Sequence, residues 1–179
     1  MKSIPAMSQI EIGAYVQSHL VAKGIYVVLS GGSTVSFYSA NKYVSQDLDL
    51  VNVHSVKRRL IREAMQEIGF IEKGRYFKHP ESDFIVEFPA GPLAVGLEPV
   101  STITEFLLAT GTLTIISPTD CVKDRLAAYY HWGDRRCLSQ AILVANQQSV
   151  DLEEVRRWSA AEGMLNEFTQ IQTLFSKQK

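Results

Sequence analysis

The sequence predicts an α+β fold, with a mixed β-sheet core and flanking helices over residues 1–116 and a C-terminal helical bundle over 117–179. Three observations predict it. Short apolar runs rich in branched residues alternate with helical patterns as far as Ile116. Strand patterns then cease. Helix-start signals recur beyond that point, at Ser117-Pro118 and at Asp151 with Glu154 three residues later.

Each element has a local reason. Ser8 and Glu11 form a capping box that opens a first helix; Ile12, Tyr15, Val16 and Leu20 give it an apolar face, and Gly24 ends it. Ile25 to Leu29 reads as a buried strand. Gly31-Gly32-Ser33 follows, then a helix from Thr34 to about Asn41. Residues 46–53 alternate as a strand. Ser55 opens a further helix, with Val56, Leu60, Ile61, Ala64, Met65 and Ile68 on one face and Gly69 at its end. Arg75–Lys78 and Asp83–Phe88 read as strands joined by the turn His79-Pro80-Glu81-Ser82. Pro89, Gly91, Pro92, Gly96 and Pro99 break any long element up to residue 101, and Leu113–Ile116 is the last strand expected.

Composition narrows the function classes. Hydrophobic residues are 46% and charged residues 21%, which excludes a disordered chain. The net charge of −1 argues against gripping nucleic acid by bulk charge and leaves room only for a local basic patch. Two cysteines, Cys121 and Cys137, make no disulfide scaffold and fit a reducing cytoplasm. No run reaches the roughly 18 apolar residues of a membrane span, so a cytoplasmic protein is expected.

The chemistry is concentrated in residues 31–51. Gly31, Gly32 and Ser33 join a strand to a helix. Glycine lets a ligand approach the backbone, and the helix start offers unpaired N–H groups to an anion, most often phosphate. Asp47 and Asp49 are two apart on a strand and project from one face. Paired carboxylates repel unless a cation lies between them, and oxygen-only ligands select Mg²⁺ or Mn²⁺.

Gly32-Ser33, the Asp47-Leu48-Asp49 strand and a further carboxylate, Glu87 in Phe84-Ile85-Val86-Glu87-Phe88, together resemble the nucleotidyltransferase superfamily with the polymerase-beta-type fold. Its third acid is most often Asp; here Glu87 stands in that place, and Asp83, on the same face by period two, is the alternative. Ser117 to Ala128 looks like the first helix after the core in minimal, toxin-like bacterial nucleotidyltransferases of abortive-infection type, with Lys123 matching their lysine beside the triphosphate and Asp134-Arg135 their turn. The resemblance covers residues 25–90 well and 115–140 more loosely.

It implies a metal-dependent transfer of a nucleotidyl group from a nucleoside triphosphate to a hydroxyl acceptor. Asp47, Asp49 and Glu87 would be the catalytic acids and metal ligands, and Gly31, Gly32, Ser33 and Lys123 would hold the nucleotide. An RNA end, a protein and a small molecule all remain open as acceptor. The resemblance also raises a partner antitoxin. The alternative is a non-catalytic module that binds nucleotide or a partner on the same fold. Lys57, Arg58, Arg59 and Arg62 read as a solvated helix face, with contact to an acceptor phosphate as the alternative, and Arg75 is a further candidate contact for nucleotide or acceptor. Tyr129, Tyr130 and Trp132 are expected in core or inter-helix packing.

Overall fold

Ser8 opens the first helix as its spacing predicts. Its hydroxyl accepts from Glu11 N, and the Glu11 carboxylate accepts from Ser8 N at 2.8 Å. The computed structural model describes residues 2–175. Helix α1 (Gln9–Ala22) leads into strand β1 (Val27–Ser30), which turns at Gly31 into helix α2 (Gly31–Tyr38). Strand β2 (Asp47–Asn52) and helix α3 (Arg58–Glu67) follow, then β3 (Ile71–Lys73), β4 (Tyr76–Lys78) and β5 (Ile85–Glu87). A two-stranded ribbon, β6 (Ala94–Val95) and β7 (Glu98–Pro99), and a hairpin, β8 (Ile103–Leu108) and β9 (Gly111–Ile116), complete the strands. Beyond them lie α4 (Pro118–Trp132), α5 (Arg135–Gln147), α6 (Leu152–Ala161), α7 (Leu165–Ile171) and a 3-10 turn to Phe175.

Seven strands form one mixed sheet in the order β3-β4-β5-β2-β1-β9-β8. Strand β2 is antiparallel to β1 and parallel to β5, and β1 is parallel to β9. The α+β class predicted by the sequence is therefore the class observed. Leu48, Leu50, Leu29 and Ile115 are fully buried, so the polar face of β2 is left for its aspartates.

Several local expectations are corrected. The second helix begins at Gly31 and stops at Tyr38, because Ala40 and Asn41 take positive φ values of 52° and 60° and turn the chain out of the helix. The third helix starts at Arg58: Ser55 has φ of 50°, and Asn52 ties the intervening turn by bonds to Val56 N and Val56 O. Strands β3 and β8, and the short ribbon of β6 and β7, were not predicted. Strand β8 lies at the sheet edge and carries Ile103 and Leu107 on its exposed face, so its sequence shows no apolar–polar alternation although its burial alternates. Trp132, expected in packing, is 78% exposed.

Gln17 closes a split in the sheet. Strands β1 and β9 register only at Leu29 and Ile115. Where they diverge, the buried Gln17 amide donates to Val27 O and Thr114 O and accepts from Thr114 N. It thus satisfies backbone groups that the missing ladder leaves unpaired.

Candidate active site

The backbone turn at the end of β1 is the first component. Gly31 has φ of 69°, and a Cβ there would collide with the Asp49 carboxylate, so both conformation and space require glycine. Gly31 is buried while Gly32 is partly open. Ser33 is fully buried, and its hydroxyl donates to Ser30 O at 3.1 Å. The donor expected to face a ligand is thus committed to the turn itself, and the backbone of Gly32 is the part left accessible. Thr34 fixes the same turn by donating to Gly31 O at 2.6 Å.

The acids come next. Asp49 pairs in register with Ser30 on one side and with Glu87 on the other, and Asp47 is opposite Ile85. Strand pairing therefore brings Asp47, Asp49 and Glu87 to one face beside the Gly31 turn. Burial pushes the Asp49 carboxyl from its ordinary 3.8 up to about 6, and the negative charges of Glu87 and Asp47 add to the rise. Asp83 lies outside β5 and is exposed, two positions beyond the Asp47 register. Glu87 is the acid that the sheet places beside Asp49.

Gln9, which the sequence reading missed as a site residue, holds the approach to Asp47. Its amide donates to Ser45 O and Asp47 O, while Ser45 N donates to the Ser36 hydroxyl at 2.8 Å. The loop between α2 and β2 is thereby fixed from two helices.

Lys123 is not brought to the acids. It is 6% exposed, and its ammonium is held by Glu154 at 2.6 Å and Asp120 at 3.4 Å. The reason is helical phase. Cys121 faces α2, where its thiol meets the Thr34 hydroxyl at 3.0 Å. Two residues further along an α-helix is about 200° round, which turns Lys123 towards α6. Four residues on from Cys121, Arg125 returns to the α2 side. Arg125 is the cation whose charge opposes the rise at Asp49. Its guanidinium is held by Asp124 and Gln140 and lies 3.9 Å from Cys137 Sγ.

Arg125 lines a cleft of about 540 Å³ with Lys42, Tyr43, Asp134, Arg136 and Gln140 among its walls. The Tyr43 hydroxyl reaches the space beside Gly32, so the cleft adjoins the phosphate-sized turn. Cys121 and His131 of α4 form no nucleophile pair. Cys121 is fully buried and burial pushes its thiol up to about 12, while His131 lies at the other end of α4 beside Glu162.

Among the described residues, no three acid, histidine or cysteine side chains close into a ready metal cage. Glu87 is turned onto Arg75, Nε to Oε1 at 3.2 Å. The donor chemistry nonetheless fits a hard divalent cation: the facing ligands are carboxylates, and burial together with their mutual repulsion raises Asp49. Arg75 is 84% exposed, so its pair with Glu87 is worth no more than about 1 kcal/mol. Arg75→Ala should leave the melting temperature unchanged and tighten Mg²⁺ binding by about two- to fivefold, because the competing cation is gone. Isothermal titration of Mg²⁺ into both proteins measures this, and weaker binding in the variant would make Arg75 a supporting group instead.

Comparison with known proteins bears on the fold. The sequence matches no family model and no curated protein. In structure, the chain is similar to an antigenic nucleotidyltransferase-like protein from Paracoccidioides brasiliensis, with a TM-score of 0.60 and 15% identity over 96% of this chain and 94% of that one. It is also similar to ANT(2'')-Ia solved in complex with adenylyl-2''-tobramycin, with a TM-score of 0.57 and 12% identity over 88% of this chain and 98% of that one. The solution structure of the antibiotic-resistance factor ANT(2'')-Ia gives the same TM-score of 0.57 over 89% and 92% of the two chains. The fold is thus nucleotidyltransferase-like.

Proposed function

We propose that this chain is a nucleotidyltransferase that moves a nucleotidyl group from a nucleoside triphosphate to a hydroxyl acceptor. The observation that carries the reading is the register of Asp49 with Glu87, on the same face as Asp47 and against the glycine turn. A carboxylate pushed up to about 6 by burial beside two others is the kind of group that clusters at functional sites. The structural likeness to ANT(2'')-Ia, one of whose structures contains an adenylylated small molecule, supports the same reaction class.

The residues divide the work as follows. The partly open backbone at Gly32 and the cations Arg125, Lys42 and Arg136 of the adjoining cleft receive the phosphates. Arg125 takes over the role expected of Lys123, which serves a buried ion cluster. A divalent cation held by Asp47, Asp49 and Glu87 would supply charge neutralisation at the phosphates and make the acceptor hydroxyl more acidic. The acceptor oxygen forms a bond to the α-phosphorus. The bond from that phosphorus to the bridging oxygen breaks, and pyrophosphate leaves with the electron pair. Glu87 takes the acceptor proton or passes it to solvent.

The finer resemblance to toxin-like enzymes, with a partner antitoxin, rests on residues 117–140 alone, and the burial of Lys123 counts against it. Among the described residues no helix is long and apolar enough to cross a membrane.

Thermal shift with each of the four nucleoside triphosphates, with and without Mg²⁺, tests the reading. Wild type should be stabilised by at least one nucleotide only when Mg²⁺ is present. Asp47→Asn should fold normally and lose the Mg²⁺-dependent part. Equal shifts in the variant would remove Asp47 from the site. Binding without incorporation of labelled nucleotide into any acceptor would favour the non-catalytic module.

A further inference from the structure

Trp132 is the surface residue least explained by packing. It ends α4, is 78% exposed, and makes an edge contact with the His131 ring at 6.0 Å between centroids. Tryptophan is enriched among the residues that carry binding energy at interfaces. Its position is not arbitrary. Trp132 is seven residues after Arg125, which on an α-helix is about 20° short of two full turns and about 10 Å along the axis. Trp132 therefore stands on the same stripe of α4 as the cation that lines the candidate nucleotide cleft, but further out.

Two exposed arginines follow it. Arg135 and Arg136 follow within the first turn of α5, and both are exposed. Arg135 has no ion-pair partner among the described residues, and Arg136, whose side chain is 89% exposed, pairs with Asp134 at 3.4 Å. Asp134 is itself engaged in capping α5. Lys42 lines the same cleft as Arg125 and Arg136.

We propose that this tip is a docking face for single-stranded nucleic acid, with a nucleobase stacked on Trp132 and phosphates against Arg135, Arg136 and Lys42. The strand would run along the Arg125 stripe towards Asp47, Asp49 and Glu87, which makes its terminal hydroxyl the acceptor. This rests on the transferase reading for the acceptor role but not for the docking itself. The chemistry selects the occupant. An exposed indole with two exposed arginines three and four residues further along the chain suits an unpaired base and its backbone, whereas a duplex hides its base faces. A lone aromatic residue without further apolar surface at the tip offers little to a membrane. A mononucleotide held in the cleft would not need a contact about 10 Å beyond Arg125.

The chain has two tryptophans, and Trp158 is fully buried, so fluorescence quenching reports Trp132. The probe is a 12-nucleotide single-stranded RNA of mixed sequence, titrated without nucleotide or metal. Quenching should saturate, and anisotropy of the labelled RNA should follow it. Trp132→Ala should weaken binding about tenfold, or ~1.4 kcal/mol, and Trp132→Phe should recover part of the loss. Replacing both Arg135 and Arg136 by Ala should lower the slope of log affinity against log salt by about 1.4. Failure of wild type to bind the RNA, or equal affinity in Trp132→Ala, would overturn the proposal. So would quenching by ATP alone as strong as by the RNA, which would give the face to the free nucleotide. RNA binding without nucleotide transfer would retain the docking face and overturn the acceptor role.

Discussion

Asp49→Asn should raise the stability of the protein by ~3 kcal/mol at pH 7.5 and by almost nothing at pH 4, while removing nucleotide transfer. The size follows from the carboxyl, whose ordinary value of 3.8 rises to about 6 in the fold; each tenfold preference for the proton is worth about 1.4 kcal/mol. The sign follows from proton counting. Between pH 4 and 6 the folded protein still holds this proton and the unfolded chain has lost it. Stability from this group is therefore highest below about 4, falls as pH rises through 6, and stays low above. Glu11 and Glu154, both held down to about 2 by hydrogen bonds, act in the opposite direction at lower pH. They are common to wild type and variant, so the difference curve isolates Asp49. Thermal melts from pH 4 to 8 should show a gap opening from near zero to roughly 6–12 °C. A gap that is constant with pH would mean that ionisation of Asp49 is not the source. Saturating Mg²⁺ with nucleotide should raise the wild type towards the variant and leave the variant unmoved.

That cost marks where sequence and structure meet. The Asp47–Asp49 pair and the glycine turn are legible because they depend on local rules: side chains alternate on a strand, and a strand-to-helix turn at positive φ needs glycine. Glu87 is legible only through its likeness to a family pattern, because its place beside Asp49 is set by the parallel pairing of β2 and β5. Lys123 went astray for a different reason. The motif around it fixes a helix and its start, but the side on which a lysine emerges depends on which residues pack against α2. Cys121, fully buried against Thr34, sets that phase and gives the inward position to Arg125. Reading the α4 stripe from Cys121 would have indicated Arg125 and, seven residues on, Trp132. Strand β8 was invisible because an edge strand with Ile103 and Leu107 outward has apolar residues on both faces. Gln9 could not be identified either, since its role at Asp47 depends on a contact 38 residues away.

Glu87→Gln should separate binding from chemistry. Glu87 stands on β5, across from Asp49, and its partner Arg75 lies on the solvent side. Nucleotide held by the Gly32 backbone, the cleft cations, Asp47 and Asp49 loses little when Glu87 becomes neutral, so affinity should stay within about tenfold. The acceptor step loses more, since the group that takes the hydroxyl proton and adds negative charge beside Asp49 is gone. Turnover should fall by at least about a hundredfold, or ~2.7 kcal/mol of transition-state stabilisation. The same substitution removes one of the charges that raise Asp49, so its titration should move back towards 3.8. That shift is measurable by NMR even before an acceptor is known. If turnover is unchanged in the variant, Glu87 is outside the mechanism and only a repositioned Asp83 remains as a third acid. If turnover falls while Asp49 titrates as before, the two carboxylates are not neighbours and the register argument fails.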